Sequence, residues 1–165
     1  MTDSTIAFKE APYVYGAHVI AIYDADTWLV KIDLGMGMSK EETIIRLYGV
    51  NAHEIKRSRS KGYGDAHVKA GFEDRDFMIS ELGLDPKDFP QKVKYHELKK
   101  PVRIVLATIR DEGGKFGRLL GVVYKNNVNL NERLRDRLGG VEFYDQKTYP
   151  PGHPIIPPQL VSALT

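Results

Sequence analysis

The chain contains 165 residues, of which 42% are hydrophobic and 28% are charged, so one soluble globular domain with its own core is the natural expectation. It has no cysteine, which excludes disulfide frameworks, thiolate metal sites and cysteine nucleophiles; a metal would have to be bound by oxygen atoms or by the five histidines. The formal net charge of +2 points only weakly to a polyanionic partner.

The N-terminus lacks the basic start and the apolar run of a signal peptide, and no apolar stretch approaches the length that spans a membrane. We therefore expect a cytoplasmic or phage-encoded protein with no membrane partner, and we expect a monomer. Residues 1–12 predict a loose N-terminal arm, residues 13–146 a single domain, and residues 147–165 a proline-rich tail.

Three runs rich in β-branched and aromatic residues predict an antiparallel meander in the first half of the domain. These predicted strands cover residues 15–23, 27–34 and 42–50. Asp24-Ala25-Asp26 interrupts the first pair of strands, and a glycine-containing hairpin loop at residues 35–39 joins the second pair.

The middle of the chain predicts a polar, basic loop at residues 51–63, followed by a helix at residues 65–82. Asp65 is the expected N-cap of this helix, and Gly83 is its expected stop. The residues expected to share one helix face are Ala66, Ala70, Phe77 and Met78. Residues 84–100 predict a connecting loop that contains at most a short extended piece.

The second half predicts a strand at residues 101–108, a glycine-rich turn at 111–117 and a strand at 119–125. Leucines spaced four residues apart predict an amphipathic helix at residues 129–138. Three strands, a helix, a two-stranded hairpin and a closing helix match an α+β, mainly β fold. The architecture expected from this order is a five-stranded OB-fold Greek-key barrel with an inserted helix and a C-terminal helix.

Four side chains with oxygen ligands are candidates for a cation site: Asp24, Asp26, Asn51 and Glu54. The two aspartates lie two residues apart at a strand break, so both could face one cation. The other two follow the third strand, whose end can lie beside the start of the second, and hard cations such as Ca²⁺ take several such oxygens. On local sequence alone, two aspartates that shape a turn beside a solvated Glu54 are the more common arrangement.

Arg46 lies in an otherwise apolar strand and therefore needs a partner or a ligand, and Arg118 begins a later strand. Two converging guanidinium groups would fit a pair of phosphodiester oxygens, but an ion pair between Arg46 and a carboxylate in the barrel mouth is equally open. Four cations lie in one loop: Lys56, Arg57, Arg59 and Lys61. By default this loop is solvated, whereas beside a phosphate site it would bind a nucleic-acid backbone.

Four segments in order resemble the staphylococcal nuclease (thermonuclease) family. They are VIAIYDADTWLVKI, IIRLYGVNAHEIK, GKFGRLLGVVY and VNLNERLRDRLGGVEFY. The first resembles the family's Asp-Gly-Asp-Thr stretch, and the second its strand ending in Arg before Val-Asp-Thr-Pro-Glu. The third resembles its Lys-Tyr-Gly-Arg hairpin, and the fourth its helix around Val-Asn. All four follow the family's order and spacing over residues 19–144.

The resemblance implies a Ca²⁺-dependent nuclease that hydrolyses phosphodiester bonds of DNA, RNA or both. Asp26 would bind the cation directly, together with Asn51 and the backbone carbonyl of Ala52, and Asp24 would support the site from a second layer. The family usually has Asp where this chain has Asn51, so one negative charge is missing and the affinity for Ca²⁺ should fall.

The resemblance also implies that Arg46 and Arg118 hold the scissile phosphate, while Glu54 orients or deprotonates the attacking water. Phe116 takes a position where the family often has Tyr against the nucleotide, and it keeps a stacking face without the hydroxyl. His53 replaces a proline and could line the same site. The family's last helix is expected to be absent, with the proline-rich tail in its place.

Two alternatives stay open. One is a catalytically weakened domain of this type that binds nucleic acid without cleaving it, which the missing charge at Asn51 would favour. The other is a protein-interaction module with the proline-rich tail as the ligand of an aromatic groove. Retention of the acidic and cationic candidates at Asp26, Arg46, Glu54 and Arg118 argues for the nuclease.

Overall fold

The computed structural model describes residues 13–91, 95–109 and 119–139. The predicted arm (1–12), the predicted tail (147–165), the predicted turn (111–117) and both Phe116 and Arg118 lie outside these ranges. Within the described ranges the chain is mainly β, with six strands and two α-helices. The prediction of an α+β, mainly β fold is confirmed at this level.

The first three strands form the predicted antiparallel meander: β1 (Tyr13–Ile22), β2 (Thr27–Gly35) and β3 (Met38–Leu47). The hairpin between β2 and β3 turns at Met36 and Gly37, whose φ angles are 50° and 74°. Two consecutive positive φ angles match a type I′ turn, which follows the natural twist of the two strands.

β3 differs from the predicted strand at 42–50 at both ends. It begins at Met38 because the hairpin ladder already pairs this residue with Gly35. The first five residues of β3 are all exposed and so lack the hydrophobic alternation that marks a strand in a sequence. It ends at Leu47, and Gly49, with a φ of 76°, then turns the chain.

The predicted loop at residues 84–100 is wrong in its last part, where β4 (His96–Ile109) begins. The start of β4 pairs with the end of β1, beyond a bulge between Val19 and Ala21. The β4 residues of this pairing, His96 and Glu97, are polar and only partly buried or exposed, so they look like a loop in the sequence although their β1 partners are buried. A short 3-10 helix, Pro86–Asp88, occupies the first part of the predicted loop.

β5 (Leu119–Lys125) has the predicted bounds. A sixth strand, β6 (Val128–Asn129), has two residues and was not predicted. It pairs with β5 across a turn at Asn126 and Asn127, both with positive φ. Asparagine tolerates that conformation better than most residues, which makes the turn possible.

Five strands close into a ring. The hydrogen-bonded order is β3-β2-β1-β4-β5-β6, and β3 also pairs with β5 in parallel. The closing pairs are Ile45–Leu119, Arg46–Leu120 and Leu47–Gly121. One continuous core fills the interior and includes Val19, Trp28, Val30, Ile45, Ile104 and Leu106. The ring therefore brings the end of β3, which carries Arg46, beside the start of β5.

The helices α1 (Asp65–Glu81) and α2 (Leu130–Arg137) lie close to their predicted positions. The N-cap of α1 is Gly64, without a capping side chain, so the predicted Asp65 cap is wrong. Of the four residues expected to share one face of α1, Met78 is buried, Phe77 is half-buried against the core, Ala70 is half-buried and Ala66 is exposed. Neither helix of the described segments is long and apolar enough to cross a membrane.

Candidate active site

The break between β1 and β2 presents two buried carboxylates. Asp24 and Asp26 are 6% and 4% exposed, although carboxylates are among the residues least often buried. The amide of Asp26 donates to Asp24 Oδ1 at 3.2 Å, and Thr27 O accepts from the amide of Asp24 at 3.4 Å. The local turn therefore holds both acids in place by backbone hydrogen bonds.

Asp26 connects this break to the chain that leaves β3. The Ala52 amide donates to Asp26 Oδ2 at 2.8 Å, and the Thr27 hydroxyl donates to Oδ1 at 3.1 Å. Arg46 Nη2 lies 3.7 Å from Asp26 Oδ2. Register explains the proximity, because Arg46 is the strand partner of Thr27, the residue next to Asp26.

Asn51 contacts Arg46 rather than a carboxylate. Its Oδ1 accepts a hydrogen bond from Arg46 Nη2 at 2.5 Å, so the same nitrogen lies against both Asn51 and Asp26. An amide oxygen has a second lone pair and can bind a cation while it keeps this bond. Ala52 uses its N–H toward Asp26, and the predicted role of its carbonyl stays a prediction.

The pKa of Asp24 is raised to about 8. Burial is the largest cause, followed by the charge of Asp26, a hydrogen bond with the Asp26 side chain and the charge of Glu54. A proton shared between two close, buried carboxylates relieves their repulsion. A divalent cation would relieve the same repulsion, so these side chains are of a kind that could hold one.

The donor set thus fits a hard divalent cation in kind: carboxylate oxygens of Asp24 and Asp26 and an amide oxygen of Asn51. Within the described ranges, however, no group of three or more His, Cys, Asp or Glu side chains is gathered around one point. Two acids and an amide make a site of low charge, so substrate oxygens would have to complete it.

Glu54 lies at the edge of the same region, on the loop after β3. It is half-buried, and its charge contributes to the raised pKa of Asp24, which places the two carboxylates within electrostatic reach. Its backbone amide donates to Nε2 of His67, in the first turns of α1, at 2.9 Å. The predicted loop at residues 51–63 is therefore attached to α1.

Three residues of α1 that the sequence reasoning did not select contact this loop: His67, Gly71 and Asp74. Asp74 Oδ2 lies 2.7 Å from Nδ1 of His53, the residue before Glu54, and accepts the His53 amide at 3.3 Å. A Cβ at Gly71 would lie 2.6 Å from the carbonyl oxygen of Glu54. Their spacing of i, i+4 and i+7 marks one helix face and was the signal available in the sequence.

The basic loop is ordered at its base by a pair of backbone hydrogen bonds between Ser58 and Tyr63. Lys56 Nζ lies 5.2 Å from the centre of the ring of Tyr23, the residue that precedes Asp24 in the chain. Arg57 forms an ion pair with Asp65. The four cations, Lys56, Arg57, Arg59 and Lys61, are exposed. Lys56 therefore offers positive charge near Asp24, and the other three cations lie further along the same loop.

The positions of Arg118 and Phe116 lie outside the described residues, but β5 begins at Leu119 beside Ile45. The chain matches no protein-family model, and a search of curated proteins finds no significant match. The family resemblance consequently rests on the four sequence segments and supports a proposal rather than an assignment.

Proposed function

We propose that this chain is a metal-dependent nuclease, with Ca²⁺ as its cation, that hydrolyses phosphodiester bonds of DNA, RNA or both on an OB-fold barrel. The ring order β1-β2-β3-β5-β4 supports the barrel, because a five-stranded Greek-key barrel with a helix between its third and fourth strands has this arrangement.

The observation that carries the proposal is the junction at Asp26. One carboxylate from the β1–β2 break accepts the amide of Ala52 and lies near the guanidinium of Arg46, with Asp24 buried behind it. An acidic pair beside an arginine at a strand end is suited to a phosphate that is bound by a cation on one side and by a guanidinium on the other.

In the proposed reaction, water attacks phosphorus and the bond to one ester oxygen breaks. A cation bound at Asp26 would polarise a phosphate oxygen. Arg46 stabilises the charge that builds on the phosphate oxygens, and Arg118 has the same role by the family resemblance. Glu54 orients the water or accepts its proton.

The basic loop supports a polymeric substrate. Lys56, Arg59 and Lys61 are exposed cations at a site where only one phosphate reacts. Neutralising further phosphates along a strand is the usual source of affinity for nucleic acid. Phe116, again by resemblance, provides a stacking face for a base.

A second candidate is a nucleic-acid-binding domain with little or no catalysis. The bond from Arg46 to Asn51 favours it, because Asn51 brings no charge and the arginine lies where it would repel a cation. The two candidates differ in one measurable property, which is hydrolysis that depends on metal.

The deciding experiment measures hydrolysis of labelled single-stranded DNA, duplex DNA and RNA, with Ca²⁺ and with chelator. We expect cleavage with Ca²⁺ and none with chelator. Asp26→Asn and Arg46→Ala should each reduce turnover by about two to three orders of magnitude, the usual effect of losing one charge-stabilising group.

Asp33→Asn is the matched control, because Asp33 lies at the other end of β2 and is exposed. Asn can also keep the Asp33 hydrogen bond to the Gly35 amide. Binding of nucleic acid by the wild-type protein without hydrolysis at any Ca²⁺ concentration would select the binding domain.

A further inference from the structure

The loop that carries Glu54 is held by a single face of α1. His67 accepts the Glu54 amide, Gly71 allows the Glu54 carbonyl to approach the helix, and Asp74 binds His53. These contacts fall on two adjacent residues. The Glu54 amide and the His53 carbonyl belong to the peptide that joins them, and the His53 amide, the His53 ring and the Glu54 carbonyl flank that peptide. A catalytic side chain attached at that peptide can keep a fixed position only if the peptide itself is fixed.

His67 is the member of this face that makes the direct hydrogen bond to Glu54. Its ring stacks on Tyr63, with centroids 3.9 Å apart and an angle of 4° between the planes. The edge of the His53 ring packs against it from another side, at 5.0 Å and 69°. Two neighbouring rings therefore restrict the orientation of the imidazole, and its Nε2 points at the Glu54 amide.

The chemistry of the ring agrees with an acceptor role. A backbone amide can only donate, so Nε2 must carry a lone pair, and the ring proton must be on Nδ1. Burial and the nearby His53 ring lower the pKa of His67, which keeps the ring neutral at neutral pH. A neutral His67 with this tautomer is the form that can bind Glu54.

We propose that His67 is a positioning residue, which fixes the Glu54 backbone through the Nε2 lone pair so that the Glu54 carboxylate stays aimed at the Asp24–Asp26 pair. The inference rests on the proposed function, in which Glu54 acts on water. Tyr63 links His67 to the basic loop, because its ring stacks on His67 and its backbone pairs with Ser58 at the base of that loop. Tyr63 therefore supports both His67 and the loop that is proposed to bind the nucleic acid.

Two substitutions separate the hydrogen bond from the stacking. His67→Phe keeps an aromatic ring on Tyr63 and removes the acceptor, whereas His67→Gln keeps an oxygen near the position of Nε2 and removes the ring. We expect His67→Phe to lower kcat by about ten- to a hundredfold with KM changed by less than about threefold, since small misplacements of a catalytic group have effects of this size. His67→Gln should retain kcat within about fivefold.

The second readout is independent of activity. Hydrogen exchange of the Glu54 amide, measured by NMR on the metal-free protein, should be about tenfold faster or more in His67→Phe and close to wild type in His67→Gln. His96→Phe is the control, because His96 bonds to Pro90 O and lies outside this face. It should change neither quantity.

Unchanged Glu54 exchange in His67→Phe, or a greater loss of kcat in His67→Gln than in His67→Phe, would overturn the proposal. If His67→Phe does not fold, the nitrogen-15 spectrum of the wild-type imidazole decides: an Nε2 that carries a proton at pH 7.5 contradicts an acceptor role. A wild-type protein without metal-dependent hydrolysis would refute the proposed function, while Glu54 exchange would still test whether His67 holds the loop.

Discussion

The side chains at the break between β1 and β2 combine buried acidic groups with a neighbouring arginine. Asp24 and Asp26 are buried together, which is unfavourable for two charges, and the pKa of Asp24 is raised as a result. Arg46 and Asn51 occupy the other side of Asp26 and supply one positive charge and one amide. The two acids can therefore be neutralised by a proton, by Arg46 or, in the proposed function, by a cation.

Asp24 should make stability depend on pH. Its pKa is about 8 in the folded protein against 3.8 for the unfolded group, so the folded state holds a proton that the unfolded state releases between these values. Stability contributed by this group is complete below pH 4 and falls as pH rises toward 8, by at most about 1.4 kcal/mol per pH unit. Because Asn does not ionise, Asp24→Asn should remove this fall in stability with rising pH.

Urea unfolding of both proteins with chelator, at several pH values from 4.5 to about 8, measures this difference. The free energy of unfolding of Asp24→Asn should exceed that of the wild type by an amount that grows steadily as the pH rises through this range. The pH dependence of Asp33→Asn should follow that of the wild type. Curves that stay parallel for wild type and Asp24→Asn would show that Asp24 does not retain its proton.

Asn51→Asp should tighten Ca²⁺ binding. The change adds a carboxylate beside Asp26, and two unit charges about 4 Å apart interact by about 4 kcal/mol at an effective dielectric constant near 20. Arg46, bonded to this position, offsets part of the gain, so we expect a roughly tenfold or greater increase in affinity. Calorimetric titration with and without a nucleotide bisphosphate measures it. Equal affinities would remove Asn51 from the cation site.

At the scale of elements, α1 packs closely against the loop that carries Glu54. The closest approach is at Gly71, where a methyl group would lie 2.6 Å from the Glu54 oxygen and 2.8 Å from the His53 oxygen. Both atoms belong to the backbone, so neither can rotate away, and the loop has to move.

Gly71→Ala should therefore reduce kcat by about a hundredfold and destabilise the protein by roughly 1–3 kcal/mol. Gly64→Ala is the matched control, because nothing lies within 4 Å of a Cβ at that N-cap position. Its effect on stability should stay below about 1 kcal/mol, with kcat unchanged. Similar kcat values for the two variants would mean that the loop does not need this close approach.

The sequence predicts the elements well where burial leaves a pattern and poorly where it does not. The apolar run of β5 and the leucine spacing of α2 predict these elements, whereas the first five residues of β3 are exposed and the first residues of β4 are mostly polar, so neither strand start shows a hydrophobic pattern. Sequence motifs selected Asp26, Arg46 and Glu54 as candidates. The spacing of His67, Gly71 and Asp74 shows that they share one helix face, but not that this face packs on the loop that carries Glu54, because the packing depends on the whole fold.

At the scale of the whole molecule, one buried side chain adds hydrogen bonds across the place where the ring closes. Asn131 in α2 accepts the amide of Val123 and donates to the carbonyls of Tyr48 and Gly121, each at 2.9 Å. It joins the exit of β3, β5 and α2 in one buried network. The sequence resemblance pointed to this helix but assigned no role to Asn131.

Asn131→Ala should destabilise the protein by about 2–3 kcal/mol, because the Val123 amide and the carbonyls of Tyr48 and Gly121 each lose one buried hydrogen bond, although Gly121 O still accepts the Tyr48 amide. Asn129→Ala provides the comparison: Asn129 caps the same helix through the Glu132 amide, and loss of a cap costs about 1 kcal/mol. Urea unfolding with an unchanged m-value measures both. Equal losses would show that the Asn131 network does not hold the ring closed.

The parallel pairing of β3 with β5 joins residues that are far apart in the chain, whereas Asp26 and Ala52 meet within the local meander. Since long-range contacts form only after a large loss of chain entropy, we expect the acidic junction to fold first and the ring to close in the slow step. Two amides report the order in pulse-labelled exchange during refolding: Ala52, bonded to Asp26, and Tyr48, bonded to Gly121. Protection of Ala52 before Tyr48 would mean that Asp26 and Ala52 come together on a chain whose ring is still open, and simultaneous protection would mean that they come together only when the ring closes.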